Sequence, residues 1–207
     1  PVEGGLRAVR AAGATCTLLA ELFCEAERPV SPPLARAMLC AVLSDTAGFL
    51  STTATESDRR AAELLAAAAG LSAGDVQALS RKLLDLRAGM DAPASEIVAR
   101  DWRVYEIGGR RFGAGAQGLM SLADLPPGAI EGLQRELARL RGEDPSLEAA
   151  LMMIAGYEER GSLVLVDADR PQELARALGL DGRGWMAGAL SRKKELLPAL
   201  ERYALGR

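Results

Sequence analysis

The chain has 207 residues, 49% of them hydrophobic and 26% charged, with a formal net charge of −3 and no histidine. That length suits one large or two small domains with cores of their own. The weak negative balance gives no reason to expect nucleic acid or an anionic membrane as a partner, and no apolar run reaches the roughly 18 residues of a membrane span.

Taken in chain order, the first part reads as helices with almost no strand signal. Residues 15–26, 33–43 and 57–69 carry apolar side chains at helical spacing. Ser31-Pro32-Pro33 supplies an N-cap and a proline start, Thr55 or Ser57 caps the third helix, and Gly70 closes it. A fourth helix spans about 73–86, and Met90-Asp91-Ala92-Pro93 reads as linker. Cys16, Cys24 and Cys40 are odd in number and lack the close pairing of a zinc site, so they read as reduced, buried thiols.

Beyond the linker the period changes. Residues 103–107 and 110–116 flank Gly108-Gly109 as a β-hairpin. Residues 129–141 form an amphipathic helix, 151–155 and 162–166 are short apolar strands, and 171–178 is a helix. A strand over 185–190 and a helix over 193–204 complete the pattern. Strands interleaved with helices imply an α/β domain around a mixed sheet. Gly113, Gly115 and Gly118 do not make a phosphate loop and are better explained by close strand packing. Trp102, Trp185 and Phe49 read as core.

Two segments carry chemistry. The run Leu39-Cys40-Ala41-Val42-Leu43-Ser44-Asp45-Thr46 ends an apolar helix in an acid, and partial desolvation of Asp45 would demand a hydrogen-bonded, basic or metallic partner. Ser191-Arg192-Lys193-Lys194 holds two of the chain's three lysines. With Ser191 as N-cap, three cations occupy the first turn of a helix, where the dipole favours acids instead. Cations and free amides together make an anion site suited to phosphate. Arg103, beside Asp101, is by its own chemistry only a solvated surface charge.

These motifs together resemble the family II, manganese-dependent inorganic pyrophosphatases of the DHH phosphoesterase superfamily. Gly13-Ala14-Thr15-Cys16-Thr17 is similar to that family's Gly-x-Thr-x-Thr entry to a helix, and Ser44-Asp45-Thr46 to its Ser-Asp-Thr motif. Asp101-Trp102-Arg103 resembles an Asp-x-Lys segment with Arg in place of Lys, whose planar fork is no simple substitute for a point charge. Ala116-Gln117 resembles the end of a strand in the C-terminal DHHA2 domain, and Ser191 to Lys194 resembles that domain's Ser-Arg-Lys-Lys signature.

The resemblance implies an α/β fold: a mostly helical remnant of a DHH domain over 1–88, a linker at 89–93, and a DHHA2 domain over 94–207 with a mixed sheet flanked by helices. It implies metal-dependent hydrolysis of inorganic pyrophosphate. Asp45 would be the catalytic and metal-binding residue, and Arg192, Lys193 and Arg103 would bind substrate. Two or more Mn²⁺ or Mg²⁺ ions would act in the complete enzyme.

The family's remaining His and Asp ligand motifs are absent, and the opening residues resemble the stretch after Asp-His-His. The chain is therefore expected to be the C-terminal part of a longer enzyme, inactive alone, with a metal-free homologue as the alternative. Leu39, Val42 and Leu43 would then be exposed or covered by another chain. A short-chain exopolyphosphatase and a non-catalytic phosphate-binding module are the other readings. The expected partners are pyrophosphate or short polyphosphate, with no nucleic acid and no membrane; a homodimer fits the family, and the expected location is the cytoplasm.

Overall fold

The computed structural model describes residues 10–206, so the opening residues compared with the stretch after Asp-His-His lie outside it. The chain divides into two compact units, residues 1–86 and 87–207.

The first unit is helical. Helix α1 (Thr15–Glu25), α2 (Pro32–Asp45) and α3 (Glu56–Ala69) pack around a common core, and α4 (Ala73–Ala88) follows. Pro32 and Pro33 open α2, although the Ser31 side chain makes no cap bond. Thr55 and Asp58 form a reciprocal capping box at the start of α3, and Gly70 ends that helix in the left-handed region. Leu39, Val42 and Leu43 are 0–1% exposed, which corrects the expectation that they would stand open. The reason is register: Met38, Leu39, Val42, Leu43 and Thr46 recur at helical spacing on one face, and α1 and α3 cover that face. Asp45 falls off the stripe and is exposed. The three cysteines are free thiols, but Cys24 is exposed and Cys16 and Cys40 are only half-buried.

The second unit is a five-stranded mixed sheet in sequential order. Strand β1 (Arg103–Ile107) pairs antiparallel with β2 (Arg110–Leu119), and β2 runs parallel to β3 (Leu147–Gly156) after a crossover through α6 (Ala129–Glu143). Strand β4 (Gly161–Ala168) and the short β5 (Trp185–Ala187) complete it antiparallel. Gly108 and Gly109, with φ of 60° and 75°, make the two-residue hairpin turn that L side chains resist.

One face of this sheet packs on α7 (Pro171–Ala177) and α8 (Leu197–Ala204) through Phe112, Ala114, Leu151 and Met153. The other packs on α6 and on α5 (Ala94–Ala99), a helix without a counterpart among the elements predicted from the sequence. Met90, read as linker, is buried in this second core. Gly113 and Gly115 lie on β2 because a Cβ there would strike the Trp102 ring at 2.2 Å and the Met152 sulfur at 2.8 Å. Among the described residues, no helix is long and apolar enough to cross a membrane.

Candidate functional site

The chain after β5 reaches Ser191, whose side chain accepts from the Lys194 amide as an N-cap, and continues as a π-helical turn, Arg192–Leu196. Proline accounts for the widened turn. An α-helix running through from Arg192 would bring the Pro198 ring against the Lys194 carbonyl, so α8 restarts at Leu197 with the proline in its first turn. The Glu195 carboxylate folds back to accept from the amides of Leu190 and Ser191, at 3.3 and 2.7 Å. The amides of Arg192 and Lys193 find no acceptor among the described residues.

Arg192 does not extend into solvent. It is 8% exposed, and its guanidinium lies 5.6 Å from the centre of the Tyr105 ring. Nη1 donates to the carbonyls of Asp101 and Ala114, at 2.6 and 3.0 Å. Nη2 donates to Asp101 Oδ1 at 3.0 Å, and Nε is buried without a partner. A guanidinium has five N–H groups, so three bonds leave it short of acceptors. One unmet buried donor costs about 1–3 kcal/mol.

Ala114 is also the register partner of Arg103 across β1 and β2. Arg103 and Tyr105 alternate onto the same face of β1, so Arg103 and Arg192 share one corner of the sheet with Asp101 and Lys193. Arg103 and Lys193 are exposed and have no partner among the described residues. The structure thus sets Arg192 against Asp101 and against Ala114, the register partner of Arg103, while Lys193 follows Arg192 in the same turn.

The first unit handles charge differently. Asp45 ends α2 in the open, at the negative end of the helix dipole, where an acid is unfavourable without a cation. Its carboxylate lies near Cys16, whose thiol is pushed up by burial and further by that charge. Behind it, Thr46 is fully buried and donates to the Val42 carbonyl at 2.6 Å. Ala47, Gly48 and Phe49 then follow with φ of 50°, 61° and 69°, a left-handed run that turns the chain sharply away from α2.

The buried acid is Asp58 instead, at 0% exposed. It accepts from the amides of Gly13, Ala14 and Thr55 and from the hydroxyls of Thr17 and Thr55, at 2.5–3.3 Å. Burial works against its ionisation, but the bonds from Thr17, Thr55 and Gly13 outweigh it and hold the carboxyl below the usual range. The Gly-x-Thr-x-Thr entry of α1 therefore clamps the cap of α3. Gly13 is required there because a Cβ would lie 2.9–3.0 Å from Thr46, Asp58 and the Thr53 carbonyl. The capping-box spacing of Thr55 and Asp58 was the signal available in the sequence for this acid.

A family model described as the DHHA2 domain matches residues 87–203, more than half of the chain. The chain belongs to the DHHA2 domain family. Its DHHA2 residues coincide with the mixed-sheet unit, and the resemblance read from the motifs is of the same family. Two relatives, each named "Probable manganese-dependent inorganic pyrophosphatase", come from Deinococcus radiodurans (30% identical over 203 residues) and Archaeoglobus fulgidus (29% over 194). Each alignment covers 92% of this chain, and the chain spans only 62% and 59% of the relatives' length. A Methanocaldococcus jannaschii protein named "Manganese-dependent inorganic pyrophosphatase" is 26% identical over 205 residues, covering 92% of this chain and 64% of its own.

The fold is shared with the crystal structure of a protein named "Methanococcus jannaschii putative family II inorganic pyrophosphatase". The TM-score is 0.73 at 24% identity, over 100% of this chain and 69% of that one. The DHHA2 unit with its helical neighbour is thus the α/β architecture expected from the sequence. The manganese of the relatives' names finds no centre here. Among the described residues, no group of three or more His, Cys, Asp or Glu could hold a metal ion. Asp45 offers one carboxylate, so these residues do not by themselves fit the metal.

Proposed function

We propose that this chain takes part in hydrolysis of inorganic pyrophosphate to two phosphates, with its DHHA2 unit binding the substrate's oxygens. In this reading residues 1–88 are the C-terminal helical part of a DHH domain, 89–93 a linker, and 94–207 the substrate-binding domain. Lys193 and Arg103 are the open cations that meet phosphate first. Arg192 supplies charge from a fixed position beneath them and stabilises negative charge growing on the phosphate oxygens. Asp45 is proposed as the catalytic carboxylate of the first unit, donating to one metal ion. The same reading carries a homodimeric assembly and a cytoplasmic location, checked by sedimentation and by cell fractionation.

The observation that carries the reading is the bond from Arg192 to the carbonyl of Ala114, the register partner of Arg103 in a DHHA2 sheet, with Arg103 and Lys193 both exposed. Further support comes from the relatives, which are named for manganese-dependent pyrophosphatase activity. The test is calorimetric titration of the 207-residue chain with inorganic pyrophosphate, beside a Lys193→Ala, Arg103→Ala double variant. Binding by the wild type and its loss in the variant are expected. Equal heats from both proteins sink the proposal, and tighter binding of tripolyphosphate than pyrophosphate moves the assignment to short polyphosphates. The chain alone is expected to release negligible phosphate with or without Mn²⁺, because one carboxylate cannot hold a metal cluster; robust metal-dependent release would overturn that.

A further inference from the structure

We infer that Asp101 holds down the anion affinity of the Arg192 site by occupying it: the carboxylate stands on Nη2 where an oxygen of an incoming phosphate would sit. This rests on the phosphate-binding reading above and adds to it a residue that competes with the phosphate for the guanidinium. Both Nη1 hydrogens go to main-chain carbonyls, of Asp101 at 2.6 Å and Ala114 at 3.0 Å. Those carbonyls belong to the backbone leading into β1 and to β2, and they hold the guanidinium whichever way the Asp101 side chain turns. Packing on the Tyr105 ring at 5.6 Å adds a further restraint. Only the 3.0 Å bond from Nη2 to Oδ1 depends on the carboxylate. That side chain is 42% exposed, whereas Arg192 is 8% exposed, so the acid can rotate outward while the base stays.

The carboxylate therefore neutralises Arg192 more than it positions it. The arginine also keeps unused capacity, because its Nε is buried without an acceptor. An arriving anion exchanges one charge-assisted bond on Nη2 for another, and its net gain comes from whatever else it reaches. The cost of displacing the carboxylate from Nη2 is the same whichever anion arrives, so Asp101 lowers the affinity for orthophosphate and for pyrophosphate by about the same factor.

The experiment is calorimetric titration of the full chain with inorganic orthophosphate and inorganic pyrophosphate, in wild type, Asp101→Asn and Arg192→Gln. Asn keeps the shape and removes the charge. Asp101→Asn is expected to tighten orthophosphate and pyrophosphate alike, each by about tenfold, as expected when a charged hydrogen-bonding competitor is lost. Arg192→Gln is expected to weaken both. Orthophosphate affinity unchanged or lower in Asp101→Asn overturns the assignment and leaves Asp101 a positioning residue. Wild-type affinities in Arg192→Gln mean instead that Arg192 is no anion site, and both readings fall. Should Asp101→Asn not fold, the Asp101 carboxyl ¹³C resonance of the wild type decides: it moves toward a solvated carboxylate on saturation with pyrophosphate, and no movement refutes displacement.

Discussion

Among the described residues the first unit buries one charge, Asp58, and the second buries Arg192 and Glu136; Asp58 and Arg192 are treated in opposite ways. Asp58 sits at 0% exposure with five donors converging on its two oxygens. Arg192 sits at 8% exposure with three bonds for five N–H groups. Burial is nearly equal; what differs is the hydrogen-bonding capacity left over. A saturated charge is a staple that fastens α1 to α3. An unsaturated one is able to accept a ligand without the fold being undone.

The largest effect separating these roles is expected at the staple. Asp58→Asn replaces an acceptor of five donors by a group that must turn an NH₂ toward some of them. It should destabilise the first unit by about 3 kcal/mol, read as a lower urea midpoint in helical circular dichroism. Asp45→Asn, an exposed change, should stay within about 0.5 kcal/mol. Equal losses at both positions would erase the distinction between them.

Next comes the arginine. Arg192→Ala should weaken pyrophosphate binding by about 1.5–3 kcal/mol, the worth of hydrogen bonds to a charged group, and calorimetry at low salt would show it. The loss should shrink as ionic strength rises, because added ions screen the charges and compete for the site. An affinity indifferent to both the substitution and salt would mean that the buried cation is structural after all.

The pH dependence follows from the sign of the Asp58 shift. Its folded-state pKa is depressed, so its stabilisation is fully present above the ordinary carboxylate value near ~4 and is lost as pH falls through the lower folded value. Acid should therefore unfold the first unit over that window, and Asp58→Asn should flatten this part of the curve. A first unit equally acid-labile with and without the carboxylate would remove Asp58 as the cause.

The smallest expected effect concerns Cys16. With Cys24 and Cys40 replaced by serine, Asp45→Asn should speed alkylation of Cys16 by about two- to threefold, because one neighbouring negative charge no longer opposes the thiolate. No change in rate would place the Asp45 carboxylate too far from Cys16 to act on it.

How much of this was legible beforehand depended on the reach of the interaction. The helices at 15–26, 57–69 and 129–141, the Gly108-Gly109 hairpin and the α7 segment follow from local spacing and turn chemistry, and the structure has them within a few residues. Helix α5 escaped because six residues with only Ile97 and Val98 buried make no visible period. The strand expected over 185–190 stops at Ala187, because a three-residue pairing with β4 is all that the edge supports.

The misjudged acid has the same origin. An apolar run in front of Asp45 says that a helix face is buried, not which residue lies on it, and the 38-39-42-43-46 stripe passes Asp45 by. The spacing of Thr55 and Asp58 reports a cap, but the partners that bury Asp58 lie 41 to 45 positions away, beyond the reach of any local pattern. Asp101 likewise meets Arg192 across 91 positions. Ser191 to Lys194 were readable because cations crowded into a helix start conflict with the dipole wherever they occur.

The π turn before Pro198 has a consequence for how this segment tolerates change. A turn of five residues where an α-helix would use fewer means that the angular position of Arg192 is set by a residue count as well as by residue type. Removing one residue from positions 193–195 would let ordinary helical bonding continue into α8. It would also swing everything before the deletion by about 100° around the helix axis. The helix would gain regularity while the guanidinium lost the carbonyls of Asp101 and Ala114. Substitutions here should therefore grade binding up or down, whereas a change of length should abolish it in a protein that folds at least as well.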